Sequence, residues 1–262
     1  MDELTKEVLE QAKGVGVDAY KDLVRPSAKP IGEVLSLFPR TIRIAFAGWE
    51  RWLFNKEESL RLTASAIEEK IQLIPDDKIV VPEAHVAIPA IQQLCYCQDS
   101  DELRDMYANL LTSSMNADKK WQVHPAFVDI VKQLCPDEAK YLKALSPLGI
   151  MIYPLIDVAF TIGETAKGEH VAISNFTDYN IDILEYPQNI GSYIDNLVRL
   201  NLIEIPAGHC LVSEKSYVSL ENHPLIQDAI NDNHQGLFKY TFKHKMFRPT
   251  NFGVNFVNVV CQ

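Results

Sequence analysis

Cys95-Tyr96-Cys97 is the tightest pair of thiols in the chain, and zinc coordination is the chemistry such a pair would serve. A structural zinc site needs four ligands, so a second pair or evenly spaced histidines should stand nearby. The nearest histidine upstream is His85 and the next cysteine downstream is Cys135. The spacing therefore predicts two cysteines at the end of a buried helix, a common place for free thiols, and no metal. His209-Cys210 joins a thiol to an imidazole, but no acid nearby would orient the base, so no thiol nucleophile is read there.

Pro136-Asp-Glu-Ala-Lys140 holds the residue types of a metal-dependent nuclease. Such sites draw their carboxylates from different elements, whereas these fall within one turn at a helix start, where acids offset the helix dipole. Pro75-Asp-Asp-Lys78 is read as a loop in the same way. Gly14-Val-Gly16 follows a helix and lacks a phosphate-binding lysine. Neither a Gly-x-Ser-x-Gly elbow nor a His-Glu-x-x-His helix occurs. No catalytic residue is assigned and no cofactor is expected, although dispersed catalytic groups leave no such mark.

Two clusters invite binding rather than catalysis. Lys239, Lys243, His244, Lys245 and Arg248 interleave with aromatics and contain no acid, as a wing touching a phosphate backbone would. Opposing this, the helix expected at Asn189–Leu200 carries only Asp195 and Arg199 as charges, which offers little to base edges. Lysines also guard the edges of sheets, and that is the favoured reading. Phe38, Ile42, Phe46, Trp49 and Trp52 form an apolar face with Arg40, Arg43 and Arg51 beside it, suited to a membrane surface or a partner. Glu33 and Glu50 dilute the positive side, which favours packing.

The elements that would position these residues follow from periodicity. Leu4, Val8 and Ala12 open a helix, Ile31 to Leu53 hold one stripe across Pro39, and Leu60, Ala64, Ile67, Ile71 and Ile74 make the next. Four helices follow: Ala87–Cys95, Leu103–Leu111 with Asp99 and Glu102 spaced as a capping box, Phe127–Leu134 behind Pro125, and one from Pro136 through Leu145. Residues 147–187 are punctuated by Pro154, Gly163, Gly168 and Pro187, and their element types are not assigned. Next come a helix through Tyr193, Ile194 and Leu197, then strand, turn and strand over Leu202–Val212. Period-two alternation at Phe238, Tyr240 and Phe242 marks another strand, and a final helix is capped by Thr250. That order is winged-helix-like. The expected fold is mostly α, with an N-terminal helical arm at 1–80, then a helical core and a winged-helix-like α+β module within 81–262.

Composition sets the frame: 47% hydrophobic and 23% charged residues suit a globular chain. The net charge of −10 argues against a surface built for phosphates. An odd cysteine count, five, fits reduced thiols. The opening Met1-Asp-Glu-Leu-Thr-Lys-Glu shows no secretion signal, and no apolar run reaches the ~18 residues of a membrane span. A cytoplasmic protein is expected, with a protein partner or a homo-oligomer favoured over nucleic acid.

Glu102-Leu-Arg-Asp-Met-Tyr-Ala-Asn-Leu-Leu-Thr and Val123-His-Pro-Ala-Phe-Val-Asp-Ile-Val-Lys-Gln-Leu-Cys-Pro-Asp-Glu-Ala closely resemble one bacterial family, the abortive infection alpha proteins. Tyr20-Lys-Asp-Leu, Pro26-Ser-Ala-Lys, Pro82 through Tyr96, Tyr193-Ile-Asp-Asn-Leu-Val-Arg-Leu-Asn-Leu-Ile and Arg248-Pro-Thr-Asn-Phe-Gly-Val-Asn-Phe extend the likeness over most of the chain. The resemblance implies a role in phage defence and carries no active-site residues with it. Cys135 stands where the family tends to have serine, which leaves Glu138 to hold that helix start. Asn201 stands where glycine is common, and asparagine tolerates the left-handed turn required there.

Overall fold

A computed structural model describes residues 67–94, 96–97, 99–145, 152–162, 170–232 and 238–262. The stripes from Leu4 to Ala64, including the face at Phe38–Trp52, lie outside them. The chain divides into two compact units, Met1–Ala139 with Asn258–Gln262, and Lys140–Val257.

The first unit is helical. Residues 67–72 are helical and bury Ile67 and Ile71, with Ile74 buried just beyond. Then follow α1 (Ala84–Leu94), α2 (Asp101–Ser114), α3 (Ala126–Lys132) and the start of α4 (Pro136–Ala144). The apolar positions read from the sequence are the core: Ala87, Ala90, Ile91 and Leu94 of α1, Met106, Tyr107, Leu110 and Leu111 of α2, and Phe127, Ile130 and Val131 of α3 are all buried. Each large one contributes about 1.5–3 kcal/mol. Ser100, rather than Asp99, caps α2: its hydroxyl accepts the Leu103 N–H at 3.3 Å. At the head of α4, Glu138 accepts the Cys135 N–H at 2.7 Å. This is the return half of a capping box, so the helix start survives without serine.

The second unit carries a four-stranded antiparallel sheet in the order β2-β1-β4-β3. Its strands are β1 (Tyr153–Ile162), β2 (His170–Phe176), β3 (Ile203–Glu204) and β4 (Phe238–Pro249). The unassigned stretch 147–187 thus supplies a central strand and an edge strand. From Leu155 to Phe160 strand β1 is apolar except at Asp157, and Leu155, Ile156, Val158, Ala159 and Phe160 are all buried.

Helix α5 (Ile190–Arg199) packs on β2. A Cβ on Gly191 would come within 2.4 Å of the Ser174 carbonyl oxygen, so glycine permits that approach. The helix ends in a Schellman motif, with Leu202 N–H on the Leu197 carbonyl and Asn201 N–H on that of Val198. Asn201 takes φ 56° to make the turn, the role expected of it. The sheet then runs through β3, short helices α6 (Val218–Glu221) and α7 (Pro224–Asp232), β4 and the closing α8 (Asn251–Val260). Thr250 caps α8 by accepting the Gly253 N–H at 2.8 Å.

The protein is therefore mostly helical, with a curled C-terminal sheet in a winged-helix-like module. One element differs from expectation. Residues 210–212 form no strand, and β3 pairs with Arg248 and Pro249 instead. The reason is local: the Leu211 N–H is taken by the Tyr217 hydroxyl at 2.7 Å, while Val212 is fully exposed.

Candidate functional site

The densest polar arrangement in the described residues sits on the sheet of the second unit. It begins with a bulge. Ile156 pairs with Phe176 and Val158 with Ile173, so Ser174 and Asn175 both lie opposite Asp157. The extra residue bends the strand, and Asn175 absorbs the bend at φ 57°. This turns the Asn175 N–H onto Asp157 Oδ1 at 2.8 Å. The Asn175 side-chain nitrogen donates to Asp195 Oδ1 of α5 at 2.6 Å. From β4, Lys245 Nζ donates to the same Asp157 oxygen at 2.7 Å and also to Asn175 Oδ1.

Strands β1, β2 and β4 and helix α5 are thus joined through one lysine, one asparagine and two carboxylates. Asp157 and Lys245 are mostly shielded, with side chains 13% and 26% exposed. Lys245 Nζ is held in place between two acceptors. Bonds to charged groups of this kind are worth about 1.5–3 kcal/mol each, so the arrangement is built to hold the sheet and helix together.

A second cluster lies one residue away. His244 Nε2 meets Glu221 Oε1 at 2.6 Å. Its ring stacks on Tyr217, with centroids 4.0 Å apart and planes 2° from parallel. The Tyr217 hydroxyl donates to the Lys245 carbonyl at 2.8 Å. Arg248 Nε donates to Glu204 Oε1 at 2.6 Å. Of the five basic residues picked out in the sequence, His244, Lys245 and Arg248 are each paired with an acid of this chain, and Lys239, Lys243 and Arg248 are exposed on β4. Lys243 stands opposite Asp157 in the ladder.

The thiols sit in poor surroundings for chemistry. Burial pushes the Cys97 thiol up to about 11 and also raises that of Cys135. Cys95 lies outside the described residues. Cys210 is exposed, while the neighbouring His209 ring lies 2.9 Å from the Ala207 carbonyl of its own turn. Tyr153 packs on Tyr179 and Phe247 at 4.5 and 4.9 Å. Burial first, then the neighbouring Tyr179, pushes the Tyr153 phenol up to about 12. Among the described residues no group of three His, Cys, Asp or Glu side chains could hold a metal ion. No helix among them is long and apolar enough to cross a membrane.

Asp157 and Asn175 were not singled out by sequence reasoning, and Asp195 entered it only as a charge on its helix. Their partners come together only through a bulge in a stretch whose elements periodicity leaves unassigned.

A helical core leading into a winged-helix-like module, with its polar groups closed on one another, defines the class of protein. The chain belongs to the abortive infection alpha family, whose model matches residues 55–260. That membership is consistent with a phage-defence role of unspecified molecular activity. No curated protein matches the chain, and no solved structure does.

Proposed function

We propose that this protein is a phage-defence factor of the abortive infection type that acts by binding protein, either a partner or further copies of itself, from within the cytoplasm. The observation that carries the proposal is how the charged groups of the sheet are used. Lys245, His244 and Arg248 each meet an acid of the same chain at 2.6–2.7 Å. Side chains spent on internal pairing are available neither for a reaction nor for a phosphate backbone. The family match supplies the biological setting. Plaque assays on cells carrying the intact gene, and on cells carrying a Lys245→Glu/Asp157→Lys reversal or a deletion of the arm at 1–80, test it. The intact protein lowers phage yield; unchanged yield across a broad phage panel would sink the reading.

Exposed Lys239 and Lys243 keep a second reading in play, a wing that touches nucleic acid. A gel shift with the parent protein decides it: no retarded band ends that reading, and a band lost in Lys239→Glu/Lys243→Glu supports it. The apolar face at Phe38, Ile42, Phe46, Trp49 and Trp52 is assigned to partner packing rather than to a membrane, and flotation of the full chain with anionic vesicles is its test.

A further inference from the structure

Tryptophan is highly buried on average, yet Trp121 in the first unit is 78% exposed. It is also firmly held. Its indole N–H donates to the Asp118 carbonyl at 2.9 Å, so the polar group of the ring is satisfied within its own turn. The turn is braced in its own right. Asn116 Oδ1 accepts the Asp118 N–H at 2.9 Å, and the Asn116 carbonyl accepts the N–H groups of Lys119 and Lys120 at 3.0 and 2.7 Å. The Val80 N–H meets the Met115 carbonyl, the Ala117 N–H meets that of Lys78, and Ile79 bridges to Asn116. A ring presented this way can be covered without first ordering a loose loop.

The charges at the turn are of both signs. Asp118 is 64% exposed, and its bond to Lys78 at 2.9 Å uses only Oδ1. Its neighbour Lys119 enters no ion pair among the described residues. Lys120 reaches the Val81 carbonyl at 3.5 Å and Glu83 at 3.8 Å, which sets exposed Val81 beside the turn. A phosphate backbone laid over the ring would meet the carboxylates of Asp118 and Glu83, both more than half exposed. A tryptophan seated at a lipid surface keeps its N–H for the wet side, whereas this one is turned onto its own chain.

We infer that two copies of this chain meet at this turn in a two-fold contact, with Trp121 against Trp121 at its centre and Asp118 of each copy facing Lys119 of the other. A two-fold contact sets one patch against itself, so every charge needs its opposite within the same patch. Asp118 and Lys119 meet that requirement beside the exposed ring. Aromatic side chains at the middle of an interface carry much of its binding, and charges around them fix the register. The contact is closed, so it builds a dimer and no filament. This rests on the self-association limb of the function proposed above and names the surface that serves it.

The test uses the full chain in analytical ultracentrifugation over a range of concentration. The parent dimerises, and Trp121→Ala weakens the dimer about thirtyfold, the scale of a central aromatic anchor. Because the ring is exposed, the circular dichroism and thermal melt of that variant match those of the parent. Asp118→Lys sets lysines against lysines and Lys119→Glu sets acids against acids, so each alone weakens the dimer about tenfold or more. The Asp118 carbonyl that holds the ring belongs to the backbone and survives the first change. Mixing these two variants restores dimers, because every lysine then faces an acid. A dimer indifferent to the three changes, or a mixture that stays monomeric, overturns this inference and leaves self-association standing. A monomer at every concentration overturns both. Loss of the parent dimer after nuclease treatment overturns it in favour of nucleic acid.

Discussion

The two units bury polar side chains for different ends. In the first, Asn109 and Ser113 of α2 are buried, and each donates to the last turn of α8. The Asn109 amide reaches the Val260 carbonyl at 2.9 Å, and the Ser113 hydroxyl reaches that of Val259 at 3.1 Å. Final carbonyls of a helix have no partner within it, so neutral donors from another helix satisfy them. In the second unit, Lys245 and Asp157 are charged and shielded, held by the bulge at Asn175. Neutral caps can be removed at modest cost. A shielded ion pair with one member missing leaves a charge with nowhere to go.

The largest effect expected separates packing from both. Phe127→Ala, at a fully buried ring of the first unit, should cost about 3–5 kcal/mol in chemical denaturation. Next comes the charged pair: Lys245→Met should destabilise by about 2–4 kcal/mol, and adding Asp157→Asn should recover much of it. A double variant no better than the single would break the contrast, because the loss would then lie in the lysine stem. Asn109→Ala should cost about 1–2 kcal/mol, because the Val260 carbonyl loses its donor; a loss as large as that at Lys245 would erase the distinction between the units.

The smallest effect is a pH dependence. The Cys97 thiol sits near 11 against an ordinary 9.0 because burial disfavours the thiolate. Below pH 9 the thiol is neutral folded or unfolded, and its preference for the folded state is complete. As pH rises from 9 toward 11 the unfolded chain loses the proton first, so stability falls through that window. Thermal melts of the parent should lose more between those pH values than melts of Cys97→Ser. Equal losses would show that Cys97 is not the group responsible.

Helices α1 to α5 and α8 were legible because their apolar residues repeat at helical spacing and their ends carry local signals. Glu138 closing on Cys135, Thr250 capping α8 and Asn201 in the left-handed turn all act within a few residues of themselves. The polar centre of the second unit was not legible. Asp157, Asn175 and Lys245 are separated by 18 and 70 residues, and no spacing rule links them. Even the hairpin expected at Leu202–Val212 was redirected by Tyr217 and by the last residues of β4.

The sequence by itself determined helices α1 to α5 and α8, the faces they bury and the family to which the chain belongs, because these depend on periodicity and short-range wording. Only the tertiary structure decided which acids Lys245, His244 and Arg248 meet. Strand order, register and the bulge at Asn175 set that outcome, and they arise from contacts between residues far apart along the chain.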